Sequence, residues 1–222
     1  MIIEFNGLPG TGKTTVSREL GKRLSDRREV LYKLSPRGSR LKRYVSSVFD
    51  GSMTLYRLGA AFSDSVTGGA DRENRRLAFV PVKYYRMYRD HAASAPENSV
   101  LLIDQGLIQG IISIAYGREI KDTAALDRLL EFLVKKGIRF NIVNCLGGAE
   151  LARERIISRG ATVGRLDVCD DGERRAVLAV QEKNFEIVRS RVQAIMKPVT
   201  VSIDTSSPAE ENGIYIESEL GI

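Results

Sequence analysis

The stretch GLPGTGKTT at residues 7–15 decides the reading, because Gly7, Gly12, Lys13 and Thr14 satisfy the spacing GxxxxGK[ST]. Glycines there and at Gly10 let consecutive backbone N–H groups converge on one concavity, and a following helix adds the partial positive charge of its N-terminus. Such a cradle suits phosphate. Gly7, Gly10, Thr11, Gly12 and Thr15 line it, Lys13 reaches terminal phosphates, and the Thr14 hydroxyl serves Mg²⁺. Chance produces the pattern in roughly one chain in a hundred of this size. Context argues further against chance. Ile2 to Phe5 precedes the loop as an apolar strand, and Lys13 to Leu24 follows as a helix with Val16, Leu20 and Leu24 at four-residue intervals.

Outward from the loop, the pattern alternates. Glu29 to Leu34 reads as a second strand ended by Ser35-Pro36, and Leu41 to Phe62 as helical pieces broken near Asp50-Gly51-Ser52. Arg72 to Ala93 reads as a long, tyrosine-rich helix interrupted or kinked at Pro81, since an interior proline removes a backbone donor. Ser99 to Ile103 is a fully apolar strand that stops at Asp104. Helices near 107–116 and 122–136 lead to a strand over Arg139 to Cys145 and a helix over Ala149 to Arg159. A glycine-containing polar segment over 160–171 precedes a long helix from Gly172 to Met196, a last strand from Val199 to Ile203 and a closing helix from Pro208 to Leu220. Continuous apolar strands alternating with helices imply one α/β domain over 1–222, with a parallel sheet covered on both faces.

Composition narrows the partners. The net charge of +6 suits an anionic one, and the basic residues form short groups rather than a tract, which fits convergence on a phosphate pocket better than a nucleic-acid stripe. Cys145 and Cys169 lack metal-ligand spacing, so free thiols are expected. No run approaches the roughly 18 apolar residues of a membrane span, and the loop begins too early for a signal peptide, so no membrane partner is expected and the cytoplasm is the expected compartment.

Asp104 is the second candidate, because parallel sheets place site carboxylates at the C-terminal ends of strands. It could hold Mg²⁺ through water or act as a base; the plain alternative is a helix N-cap. Arg153, Arg155, Arg159 and Arg165 follow in RERIISRGATVGR, with Arg155 and Arg159 four apart on one helix face and Arg165 in the loop beyond. Guanidinium groups of Arg159 and Arg165 on a mobile segment could close over phosphates, whereas Arg153 reads as surface. His91, the only histidine, and Tyr84, Tyr85 and Tyr88 read as structural or as cavity wall.

In order along the chain, these features resemble the P-loop kinases, and within them the thymidylate kinases. FNGLPGTGKTT resembles that family's first strand and loop, YKLSPRGSRLKR its second strand and phosphate-binding arginine, here Arg37, and LAFVPVKYYR its acceptor helix, with Phe79 to stack on the base and Lys83 to contact it. LLIDQG stands where the family has Asp-Arg, CLGGAELARERIISRGATVGRLD resembles the strand, helix and lid, and VSIDTSSPAEEN the loop near adenine. The resemblance implies a three-layer P-loop NTPase fold, a five-stranded parallel sheet in the order 2-3-1-4-5, a mobile basic lid over about 159–172, and a homodimer. It also departs: Gln105 replaces the arginine after the strand-end aspartate, and Lys83 replaces a base-contacting arginine. The donor half matches, and the differences cluster on the acceptor side.

The resulting expectation is transfer of the γ-phosphoryl group of ATP to a small anionic acceptor, a nucleoside monophosphate first. Lys13 and the loop amides hold phosphates, Thr14 and Asp104 organise Mg²⁺, and Arg159 and Arg165 close over the moving group. Arg37 and Arg86 take the acceptor's anionic end, Phe79 its ring, and Lys83 and Gln105 its periphery. A hydroxyl acceptor (a nucleoside, sugar or antibiotic) is the alternative, with Asp104 as base. A guanine-nucleotide switch fits less well, since no NKxD motif occurs: NIVN at 141–144 and EKNF at 182–185 do not match.

Overall fold

A computed structural model of the chain describes residues 1–32, 51–68, 76–160 and 165–222. Arg37, the helical pieces expected over 41–50, the start of the helix expected at Arg72, and lid residues 161–164 lie outside the described residues.

The described elements run β1 (Ile2–Asn6), α1 (Lys13–Leu24), β2 (Glu29–Leu31), α2 (Ser52–Thr67), α3 (Phe79–Ser94), β3 (Ser99–Ile103), α4 (Leu107–Ile114) and α5 (Ala124–Lys135). They continue with β4 (Asn141–Leu146), α6 (Gly148–Arg159), a 3₁₀ turn (Arg165–Asp167), α7 (Asp171–Met196), β5 (Thr200–Asp204) and α8 (Ala209–Leu220). All neighbouring strands pair in parallel, in the order β2-β3-β1-β4-β5. This is the order expected of a three-layer P-loop fold.

The strand sequences explain their places. Every residue of β1 and β3 is buried, as central strands covered on both faces require, whereas β5 alternates exposed and buried positions at the sheet edge. Ile3, Phe5, Val100 and Leu102 face Val16, Leu20 and Leu24 of α1 and Ile216 of α8. Ile2, Leu101 and Ile103 face the other way, against a larger core supplied by α3, α4, α5 and α7. That core includes the fully buried Leu107, Ile111, Leu126, Leu129 and Leu133. Truncating any one of these to alanine is worth about 2–5 kcal/mol.

The break expected at Pro81 is present three residues ahead of it: Arg76 and Leu77 are helical, Ala78 is a turn and α3 begins at Phe79, so the proline sits in the first turn of α3, where its missing N–H breaks no intrahelical bond. One boundary needs correction. The β2 ladder ends at Leu31 rather than Leu34, with Tyr32 in a bend. Gly51 starts α2 with φ +87°, as the Asp50-Gly51-Ser52 break implied.

Candidate active site

The loop between β1 and α1 is shaped by glycines that admit no side chain. Gly7 has φ +153°, and a Cβ there would lie 2.5 Å from the Cys145 carbonyl oxygen; Gly10 has φ +87°, with a Cβ position 2.6 Å from the Ala152 carbonyl oxygen. Both β4 and α6 therefore press against the loop from below. Thr11 closes it locally, its hydroxyl donating to the Leu8 carbonyl at 2.8 Å. Thr14 and Thr15 are exposed in the first turn of α1, where backbone N–H groups point out of the helix end.

Lys13 is only 8% exposed. Its ammonium donates to the carbonyls of Gly7 (2.8 Å) and Leu8 (2.7 Å), folding back over the loop. Burial pushes its pKa down to about 8, against the opposing influence of Cys145 and Asp104. The Cys145 thiol, buried beside it, is pushed up to about 12 by burial. An anion in the loop would replace the carbonyl partners and restore favourable charge to a costly buried cation.

Thr14 and Asp104 meet directly. The Thr14 hydroxyl donates to Asp104 Oδ2 at 2.7 Å, joining the first turn of α1 to the end of β3. Hydroxyl and carboxylate oxygens are the hard donors Mg²⁺ takes, and that ion uses one or two protein oxygens, completing its shell with phosphate and water. The pair fits such an ion. Among the described residues no group of three or more His, Cys, Asp or Glu forms a self-sufficient metal cage.

On the acceptor side, the expected residues spread along α3. Phe79 is 57% exposed and stacks on Tyr56 of α2, with ring centroids 4.2 Å apart. Lys83 lies with its ammonium 5.0 Å from the Tyr84 ring centre, and Arg86 donates to the Ser52 hydroxyl at 3.0 Å. Gln105 is exposed just beyond Asp104. Tyr84 is close enough to Glu4 and Asp104 to feel both charges, and its pKa rises to about 12, mainly through burial.

The lid arginines divide differently from the expectation. Arg159 is held by Asp167 at 2.5 Å, and the Arg165 guanidinium lies 5.0 Å from the Tyr116 ring centre. Arg153, expected as plain surface, grips both Asp171 oxygens at 2.7 Å. Arg174 holds the carbonyls of Leu166 (3.0 Å) and Cys169 (2.6 Å), so the described residues of the expected lid segment are braced to α6 and α7. Arg155 lies against the loop, its Nη1 3.4 Å from where a Cβ on Gly12 would sit. Its Nη2 donates to the Thr205 carbonyl at 2.7 Å.

Sequence reasoning passed over Glu4, Arg155 as a loop residue, and Arg174, whereas Tyr88 is buried in the core, as read. Glu4 carried a signal: it is the one charged residue in the apolar run IIEF, and a lone charge in a buried strand has to be bonded. His91 is structural as read, buried and bonded to the Met1 carbonyl at 3.2 Å. No described helix is long and apolar enough to cross a membrane.

Comparison with known family models finds no match, and comparison with curated protein sequences finds none either. Solved structures do match in fold. Deoxyadenosine kinase from M. mycoides, with products dCMP and a flexible dCDP bound, superposes with a TM-score of 0.56 at 14% identity over 100% of this chain and 99% of that one. The same enzyme with bound dATP gives 0.55 at 14% identity, with both chains covered in full. YorR protein from Bacillus subtilis in complex with phosphorylated GDP gives 0.51 at 15% identity over 100% of this chain and 96% of that one. The likeness reaches the P-loop kinase fold and does not single out the thymidylate branch. The chain thus shares, end to end, the fold of these proteins, deoxyadenosine kinase among them, and its loop, Lys13 and the Thr14–Asp104 pair lie at the carboxyl ends of β1 and β3, where open parallel sheets bind their ligands.

Proposed function

We propose that the protein is an ATP-dependent, Mg²⁺-assisted phosphotransferase acting on a nucleoside monophosphate. The Thr14–Asp104 hydrogen bond beside Lys13 carries this reading, because it assembles a cation, a phosphate cradle and a hard-oxygen pair at one point. Loop amides and Lys13 bind and orient the β and γ phosphates, and Arg155 approaches from the α6 side. The metal, when bound by Thr14 and Asp104, neutralises phosphate charge. Lys83 and Arg86 offer cations to the acceptor's phosphate, and Phe79 and Tyr84 offer ring faces to its base. Positioning and charge neutralisation then supply most of the rate.

A phosphate acceptor is already ionised and needs no base, which suits a site where Asp104 is drawn to Thr14 and Glu4 is wholly buried. A nucleoside hydroxyl is the second reading, favoured by the fold shared with deoxyadenosine kinase. Release of ADP measured over nucleoside monophosphates, nucleosides and hydroxylated small molecules separates them, with Lys13→Ala as control. Stimulation by a monophosphate supports the first reading, stimulation by nucleosides alone replaces it with the second, and no stimulation above the ATP-only rate sinks both.

A further inference from the structure

Glu4 lies in the middle of β1, 0% exposed, on the sheet face covered by α3 and α4. Its register partner on β3 is Ile103, the residue before Asp104. One carboxylate oxygen accepts from the Ile108 amide at 2.6 Å and, more weakly, from the Gln109 amide at 3.4 Å. The other accepts from the Tyr88 hydroxyl at 2.6 Å, and the Leu107 amide donates to that same hydroxyl at 3.2 Å. The first amides of α4 therefore end on a strand residue and its tyrosine partner. Gly106, the N-cap of α4, has no side chain to satisfy them, and a Cβ there would lie 2.3 Å from the Glu4 carboxyl carbon. A glycine whose Cβ would crowd the Glu4 carboxyl, a buried carboxylate and three helix-end amides thus meet directly after Asp104.

We propose that Glu4 is a positioning residue: by anchoring the N-terminus of α4 from beneath, with Tyr88, it fixes the 104–106 turn and so holds the Asp104 carboxylate against Thr14. This rests on the reading that the Thr14–Asp104 pair organises phosphoryl transfer. Glu4 is wholly buried beneath the turn and open to no ligand, so its loss acts on the rate of the organised complex rather than on the binding of nucleotide or acceptor. An α4 held only by apolar packing would keep the fold and lose the registration of Asp104.

Glu4→Gln keeps the shape of the side chain, and Tyr88→Phe removes the relay from the other end. Each is expected to lower kcat about tenfold to a hundredfold while acceptor KM stays within about twofold, and the double variant is expected to be no worse than the poorer single one. Mn²⁺ affinity of the nucleotide-bound protein, which needs no acceptor, is expected to fall about tenfold in both. Unchanged kcat and Mn²⁺ affinity in folded Tyr88→Phe overturn the proposal, whatever Glu4→Gln does to folding. A wild type that turns over no acceptor, yet loses Mn²⁺ affinity on either substitution, sinks the kinase reading and keeps this one.

Discussion

Thr14 and Asp104 are ninety positions apart in sequence and joined by a 2.7 Å hydrogen bond. The bond exists because β1 and β3 are adjacent and parallel, so the loop leaving one strand faces the carboxylate ending the other. Thr14→Ala and Asp104→Asn each remove one side of the same oxygen pair. Each is expected to lower turnover about a hundredfold and to raise the Mg²⁺ concentration needed for half-maximal rate, with the double variant close to the poorer single one. Mg²⁺ titration of the rate checks this, and fully additive losses would separate the two residues into different tasks.

Lys13 shows stability and function opposed at one residue. Its ammonium is buried among loop carbonyls at a pKa of about 8, so the folded chain bears a charge that burial disfavours. Lys13→Met is expected to weaken ATP binding about a hundredfold, the value of a lost charged hydrogen bond. The same variant is expected to melt about 2–6 °C higher without nucleotide, since the penalised cation is gone. Calorimetric titration and thermal melts read the two effects separately; a lower melting temperature would mean the carbonyl contacts outweigh the burial cost.

How much of this was legible in the sequence follows from where each signal lies. The loop, its flanking strand and helix, and the strand-end Asp104 are local patterns, and the parallel sense of the sheet follows from apolar runs alternating with helices, whereas the strand order was implied by the resemblance. Pro81 signalled the break but not its position, because a proline reads the same in a helix interior and in a first turn; the turn falls at Ala78. The division of labour among the arginines was illegible for another reason. Arg155 and Arg159 share a helix face, and what separates them is the partner each meets: Thr205 on β5's following turn for one, Asp167 for the other. Glu4 was visible as an anomaly in IIEF but not as an anchor, because its partners are 84 and 104 residues away.

The arginines give a discriminating test. Arg155 approaches Gly12 while bonded to the Thr205 carbonyl, whereas Arg159 is tied to Asp167 in the 3₁₀ turn. Arg155→Ala is expected to raise the KM for ATP about tenfold with acceptor KM unchanged, as loss of a phosphate-side cation would. Arg159→Ala is expected to loosen the 165–167 turn first, seen as faster amide exchange at Leu166, with a smaller effect on ATP. Equal effects of the two on the KM for ATP would return Arg159 to the loop and remove the distinction.

Glu4 also makes stability depend on pH in an unusual direction. Burial raises its pKa from 4.5 to about 7, partly offset by hydrogen bonds from Tyr88 and the α4 amides. The groups facing it are Tyr88, which donates to it, and Tyr84, which feels its charge. Between pH 4.5 and about 7 the folded chain holds this proton more firmly than the unfolded chain. Stability from this residue is therefore full below about pH 4.5 and is lost as pH rises through 7. The displacement corresponds to about 3 kcal/mol, opposite in sign to the usual paired carboxylate, which loses stability as pH falls. Glu4→Gln carries no titrating proton, so the difference in unfolding free energy between wild type and variant should change by most of that amount between pH 5 and pH 8, in favour of the variant at high pH. Denaturant melts at those two pH values measure it. A difference that stays constant would mean the three donors hold Glu4 ionised throughout, and that the anchor of α4 is a permanent carboxylate.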